Sequence, residues 1–211
     1  MLLCMYKFGL KHALLLFLCC SLSNSSYAQA FGEKKNVFSA GYGVVSFAGY
    51  VTSYIRYASY AGLHKKITGP FYFKYERAIS RHIGLGVNVA YMHLNLNFRN
   101  QVMNRTLYDV NLDYNTLSVM ARMNIHFGSF KKVDPYLGMG VGYRSGGWKA
   151  SYRFISGNPN DQPKAIEIRT IIPVGFELTA GTRYWFSEYI GAYVEFGLAK
   201  SLLQLGITGR F

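Results

Sequence analysis

Short stretches of strictly alternating apolar and polar residues recur along the chain from about residue 37 to its end. One of them is IGAYVEFGL, in which Ile190, Ala192, Val194, Phe196 and Leu198 occupy every second position. Glycine, tyrosine and glutamate stand between them. Because successive side chains of a β-strand point to opposite faces, this pattern predicts a strand with one apolar face and one mixed face.

Eight such stretches predict eight strands. Their approximate ranges are 37–47, 70–79, 83 to about 91, 115–127, 135–146, 171–185, 189–198 and 203–211. In the third, the apolar positions change parity after Tyr91, to Met92, Leu94, Leu96 and Phe98. This change indicates either a β-bulge or a strand that has left its apolar surroundings.

The connections between these strands alternate in length. Strands two and three, four and five, and six and seven are joined by a few residues, whereas 48–68, 95–114 and 147–170 are long connections. Short turns on one rim and long loops on the other are typical of outer-membrane barrels, whose short turns are periplasmic. We therefore expect an all-β fold, an eight-stranded antiparallel up-and-down transmembrane β-barrel.

The polar face decides which way the apolar face points. Eight strands enclose an interior that side chains just fill, and glycines there make room for large neighbours. Acids and bases share the polar face and can pair inside, as an interior charge network: Lys74, Glu76, Arg122, Glu177, Arg183, Glu195 and Arg210. The apolar face then meets lipid. The alternative is an exported soluble, lipocalin-like barrel with its apolar face inside.

The N-terminal segment has the plan of a secretory signal peptide. Lys7 and Lys11 precede a short apolar run, and a polar stretch ends on Ala28-Gln29-Ala30. We expect residues 1–30 to be a signal, cleaved after Ala28 or Ala30, and 31–211 to be the barrel domain. All cysteines (Cys4, Cys19 and Cys20) lie in the signal, so the mature chain uses no disulfide or thiol chemistry.

The chain resembles the small outer-membrane β-barrel families: the OmpA barrel domain, OmpX-like proteins and the outer membrane protein beta-barrel domain group. The resemblance covers about residues 33–211 and is carried by PYLGMGVGYRSGGW, IPVGFELTAGTRYWF and the closing GITGRF. It implies localisation in the outer membrane of a Gram-negative bacterium. It also implies that the barrel-assembly machinery reads a C-terminal signal, here Leu203, Leu205, Ile207 and Phe211.

Few motifs point to chemistry. The glycine-rich stretches GLGVNVAY and GMGVGYRSGG lack the full dinucleotide fingerprint, and His64, His82, His93 and His126 are scattered. A hydrolase would need a serine, a histidine and a carboxylate at one rim, for which His93 and Ser59 are weak candidates. We expect no catalytic, metal or cofactor-binding residues, no cofactor and no nucleic-acid partner.

Charge in the long connections is more informative. The chain has a formal net charge of +13. A basic outer rim attracts the phosphates of lipopolysaccharide. The candidate contacts are Arg56, Lys65, Lys66, Lys149 and Arg153. We expect an outer-membrane barrel with a plugged interior and an envelope-structural or surface-binding role, its partners being outer-membrane lipid and lipopolysaccharide. The alternatives are a lipid A-modifying enzyme and a narrow solute channel.

Overall fold

A computed structural model describes residues 31–32, 35–44, 46, 63–103, 105–127, 130–158 and 163–211. The predicted signal segment, residues 1–30, lies outside these ranges. No helix among the described residues is long and apolar enough to cross a bilayer.

The described residues form nine β-strands. They are β1 (Asn36–Gly43), β2 (Leu63–Ala78), β3 (Ile83–Met103), β4 (Thr106–His126), β5 (Val133–Ser156), β6 (Ile166–Arg169), β7 (Val174–Trp185), β8 (Ile190–Leu198) and β9 (Leu203–Arg210). All except β6 make an antiparallel ring, in which β5 pairs with β7 and β9 pairs back onto β1. The predicted eight-stranded up-and-down barrel is confirmed, and β6 is an additional short strand on the outer part of β5.

Pairing of the last strand with the first closes the ring. The register runs from Val37 opposite Arg210 to Gly43 opposite Gln204. Asn36 and Phe211 extend it by two backbone hydrogen bonds of 3.0 and 3.1 Å. Closure leaves no open sheet edge in the ring, which hydrocarbon could not satisfy.

The apolar face points outward, as the alternation predicts. Phe73 is 62% and Ile207 68% exposed, whereas Lys74, next to Phe73, is 8% exposed. From Leu117 to Phe127, just past the end of β4, the chain extends about 33 Å along the strand. A strand tilt of about 40° from the barrel axis reduces this to a height of roughly 25 Å along the axis. That is about the height of the apolar band on outer-membrane barrels.

The strands extend further than predicted at one end of the barrel. Residues 95–114 were expected to be a loop, but β3 and β4 remain paired up to Met103 opposite Thr106. Much of 147–170 is likewise a hairpin of β5 and β6. The reason is that these segments keep the alternation of a strand without an apolar outward face. We call the end with these long hairpins the outer end.

The change of parity at Tyr91 is a reversal of polarity and not a bulge. The β3–β4 register is unbroken from Ile83 to Phe98, whereas β2 shifts between Thr68 and Phe71, where Pro70 cannot donate a ladder hydrogen bond. Beyond Tyr91 the apolar side chains face inward, and Leu94 is fully buried. We call the five-stranded part beyond this level the outer sheet; it comprises 63–68, 92–103, 106–116, 144–156 and 166–169.

Candidate functional site

The predicted charged residues of the polar face lie in the barrel interior, with one exception. The following predicted residues are at most 8% exposed: Lys74, Glu76, Arg122, Glu177, Arg183 and Glu195. They come from β2, β4, β7 and β8, because alternate residues of each strand face the lumen. Buried charges of this kind need partners within hydrogen-bond distance.

Arg122 is the centre of an upper cluster. Its guanidinium lies 3.2 Å from Glu177 Oε1 and 2.9 Å from Glu195 Oε1. Glu195 also lies 2.7 Å from Lys74 Nζ and accepts a hydrogen bond of 2.7 Å from the Tyr136 hydroxyl. Arg122 therefore joins two acids on the neighbouring strands β7 and β8, and Lys74 pairs with the second of them, Glu195.

A lower cluster surrounds His126. Its Nδ1 lies 2.7 Å from Asp134 and its Nε2 2.7 Å from Glu76. An ionised carboxylate only accepts hydrogen bonds, so these two contacts fit a ring that carries a proton on both nitrogens. Arg183 pairs with the same two acids, Glu76 and Asp134. In both clusters together, four bases then balance four acids.

Polar side chains connect the two clusters. Asn124 accepts a hydrogen bond of 2.8 Å from Arg122 Nε and donates one of 2.6 Å to Glu76. The space between Lys74, Glu76 and Arg122 is about 10 Å³. Room for a single water requires roughly 10–15 Å³, so this cavity holds one water at most.

Glycines opposite these charges make the packing possible. A Cβ on Gly138 would collide with the Arg122 guanidinium, and one on Gly84 would collide with the Glu76 carboxylate. These two glycines are therefore explained by the space that the network needs.

Arg210, the exception, lies at the short-turn end. Its Nε donates to the Glu188 carbonyl at 2.6 Å, and its guanidinium lies 4.2 Å from the centre of the Trp185 ring. Phe31 stacks on His126 at this end, with ring centroids 3.5 Å apart and planes 6° apart. The structure thus places Arg210 at the rim beside Trp185 and Glu188, and its membership of the interior network stays a prediction.

Sequence reasoning missed several members of the network. His126 and Asp134 complete the lower cluster, and Asn88 and Gln204 bond to Glu177 and Lys74. Asp134 was assigned to a turn, although it shares the parity of Tyr136 and Gly138 on the same strand. Extending the strand by parity would have placed it inside.

The candidate lipopolysaccharide contacts do not share one face. Lys66 and Lys149 lie on the outward face of the outer sheet, in a row that includes Asn95, Asp113 and Glu167. Lys65 has the opposite parity and faces inward, whereas Arg153 is outward and stands opposite Asp109. Arg56 lies outside the described residues. Lys66 alone of the four described candidates faces outward with no acid directly opposite it.

The proposed assembly signal lies on β9 and just beyond it. Leu205, Ile207 and Phe211 are 44%, 68% and 68% exposed on the lipid-facing side, and Leu203 shares their parity. Phe211 stacks against Phe38 of β1, with ring centroids 5.6 Å apart.

The candidates for catalysis and metal binding remain dispersed. Within the described ranges no group of three His, Cys, Asp or Glu side chains is placed to hold a metal ion. His93 Nδ1 lies 2.7 Å from Asn115 Oδ1, and its Nε2 lies 3.8 Å from Asp113. Ser59, the serine considered with it, lies outside the described residues.

A closed antiparallel ring with an apolar outer band and an ionic interior defines the class of transmembrane β-barrels. The chain resembles solved outer-membrane barrels. Ail, the attachment invasion locus protein of Yersinia pestis, is 14% identical and is matched over 85% of this chain and 99% of Ail, with a TM-score of 0.47.

Two further matches come from Pseudomonas aeruginosa. The N-terminal β-barrel domain of OprF is 11% identical, covering 85% of this chain and 98% of that domain, with a TM-score of 0.37. The outer membrane protein OprG is 11% identical, covering 88% and 99%, with a TM-score of 0.41. No family model and no curated protein matches the chain.

Proposed function

We propose that the protein is a non-catalytic outer-membrane barrel with a plugged lumen, which holds the outer sheet above the membrane as a binding surface. The observation that carries this proposal is the continuous ionic network across the interior. Arg122 is bonded to β7 and β8 from β4, so its side chain spans the lumen. A conducting pore requires a continuous water path, and the side chains packed across the lumen support a plug instead.

Single-channel recording in planar bilayers tests the plug. The wild-type barrel should give no conductance steps. The double variant Lys74→Ala/Arg122→Ala removes the two long cations of the upper cluster and should conduct. The double variant Lys66→Ala/Lys149→Ala makes the same charge change outside the lumen and should remain silent. Steady conductance of the wild type would favour the solute channel.

The surface-binding part of the proposal rests on the outward face of the outer sheet. The row of Thr68, His93 and Arg169 is the first outward row above the lipid-facing residues. The row that contains Lys66 and Lys149 is the next outward row, two residues further from the membrane. Cations at this height stand close to headgroup phosphates, which attract them. Lipopolysaccharide is therefore the partner that we propose for this face.

Two adjacent lysines of β2 provide a matched test of this contact. Lys66→Gln removes an outward charge and should weaken binding of lipopolysaccharide to the detergent-folded barrel, measured by the shift in its unfolding temperature. Lys65→Gln removes an inward charge and should bind like the wild type. Equal losses in the two variants would mean that the contact depends on net charge and not on this face.

A further inference from the structure

The turn between β8 and β9 places a lysine across the outer mouth of the barrel. Lys200 is 8% exposed, and its Nζ donates a hydrogen bond of 2.6 Å to Thr116 Oγ1. Thr116 is on β4, which is separated from β8 in the ring by β7 and β5. A lysine at a rim ordinarily extends its ammonium into water. Here the ammonium is held inside, above the lumen.

A second cation is held at the same place. The Thr116 hydroxyl donates in turn to the Ser145 carbonyl at 2.9 Å. Arg144 directly precedes Ser145 on β5. Arg144 faces inward, with its Cβ and Nε against Gly175. One of its terminal nitrogens donates to the Phe176 carbonyl at 3.2 Å. Its Nε is buried without a hydrogen-bond partner in the described part of the chain.

Neither cation has an acid as its partner among the described residues. The interior carboxylates are already paired with Lys74, Arg122, Arg183 and His126. Ser46 is bridged to Ser201, beside Lys200. Within the described ranges, neither cation at this mouth has a carboxylate as its counterion.

A buried cation without a counterion is unfavourable. Removing an ammonium from water costs several kcal/mol unless an opposite charge compensates. Burial, with Arg144 nearby, lowers the pKa of Lys200 to about 7. The lysine ammonium has three N–H donors and uses one on Thr116, and Arg144 Nε is also free to donate. Donors of this kind fit the oxygens of a phosphate or sulfate group.

We propose that Lys200 and Arg144 form an oxyanion-binding site at the outer mouth of the lumen, which takes a phosphate or sulfate group. The site is closed below. Met120 is fully buried beside Gly175, and the Tyr72 hydroxyl is hydrogen-bonded to Ser201 at 2.9 Å. These side chains separate the site from the ionic network, so the anion binds at the mouth and does not pass through.

Unfolding of the full mature barrel in lipopolysaccharide-free detergent tests the site. Sodium phosphate is added at pH 6.5, and ionic strength is held constant with sodium chloride. The wild type should be stabilised by phosphate through binding linkage. Lys200→Met keeps an unbranched side chain without charge, so it should fold and should bind phosphate at least about tenfold more weakly. Lys132→Met, an exposed position at the opposite, short-turn end, should respond like the wild type.

The difference between variants is the readout, because phosphate also stabilises proteins nonspecifically. A second series with lipopolysaccharide distinguishes the source of the anion. Lys200-dependent stabilisation by inorganic phosphate assigns a solute anion, whereas stabilisation by lipopolysaccharide alone assigns a lipid phosphate. The proposal is overturned if Lys200→Met responds like the wild type in both series, or if neither ligand stabilises the wild type.

Discussion

At the scale of single residues, Glu195 shows how the barrel interior depends on paired charge. It is 1% exposed and lies within 2.9 Å of atoms of Lys74, Arg122 and Tyr136. Replacing it with leucine leaves two buried cations next to an apolar group. Breaking a buried pair in this way costs about 3–5 kcal/mol.

We therefore expect Glu195→Leu to lower the free energy of unfolding by about 3–5 kcal/mol. Urea unfolding of barrels folded in detergent or lipid measures this. The control is Val194→Leu, one residue away on the lipid-facing side, which should cost almost nothing. Equal midpoints for the two variants would show that the inward and outward faces have been assigned the wrong way round.

Lys200 predicts a pH dependence of a particular sign. Its pKa falls from 10.5 in the unfolded chain to about 7 in the folded barrel, because of burial and the nearby Arg144. Between these values the unfolded state binds more protons, so this residue makes stability rise with pH. Its cost is fully present below about pH 7 and is relieved as the pH rises towards 10.5.

The variant Lys200→Met isolates this contribution. Lys200 is bonded to Thr116 on β4 and lies near Arg144 on β5, and Tyr72 on β2 is bonded to the neighbouring Ser201; all three are unchanged in the variant. Compared with the wild type in phosphate-free buffer, Lys200→Met should gain more stability at pH 6 than at pH 10. A constant difference across this range would mean that the ammonium is solvated in the folded barrel.

At the scale of elements, the main feature is the reversal of polarity along β3, β4 and β5. The row formed by Ile67, Leu94, Tyr114 and Trp148 faces inward above the level of Tyr91, and the Tyr114 and Trp148 rings stack with centroids 4.7 Å apart. In lipid the outward side must be apolar, whereas in water the outward side is polar. The reversal therefore marks the level at which these strands leave the membrane.

Surface labelling tests this topology, since all cysteines of the chain precede residue 21. Val102, near the tip of the β3–β4 hairpin, is 70% exposed, and Asn158 follows β5. Single cysteines at these two positions should react with an impermeant maleimide on intact cells. A cysteine at Ser80, in the turn between β2 and β3, should react only after the cells are opened. The reverse pattern would invert the barrel.

Ser59 and Asn104, in long connections, and Ser129, in a short turn, lie outside the described residues. The ring strands were predictable because lipid on one side enforces strict alternation. The outer halves of β3 and β4 were not predictable in this way. There the apolar side chains face inward and the polar ones outward, and the pattern mixes asparagine with tyrosine. The sequence pattern thus locates the strands in lipid better than the strands in water.

The members of the interior network were predictable, but their partners were not. Parity places Arg183 inside, among the acids Glu76, Glu177 and Glu195, but does not say which of them it meets. In the barrel it pairs with Glu76 and Asp134 instead. Which side chains meet across the lumen depends on strand tilt and stagger, and a sequence pattern does not give these quantities.

At the scale of the whole molecule, the barrel depends on the ladder between β9 and β1. β9 pairs with β1 on one side and with β8 on the other, and Ile207 lies between Ala40 and Ala192 in that register. Proline at this position removes one ladder hydrogen bond within the membrane, where no water replaces it. We therefore expect Ile207→Pro to prevent closure of the ring.

Heat-modifiable migration in detergent gels measures closure, because a closed barrel stays compact until it is heated. The wild type in the membrane fraction should show two mobilities, before and after heating, and Ile207→Val, which keeps the N–H and an apolar side chain, should do the same. Ile207→Pro should run at the heated position in both samples. If the proline variant also shows two mobilities, pairing of β9 with β1 is not what closes the barrel. A wild type recovered only from the soluble fraction would favour the lipocalin-like alternative.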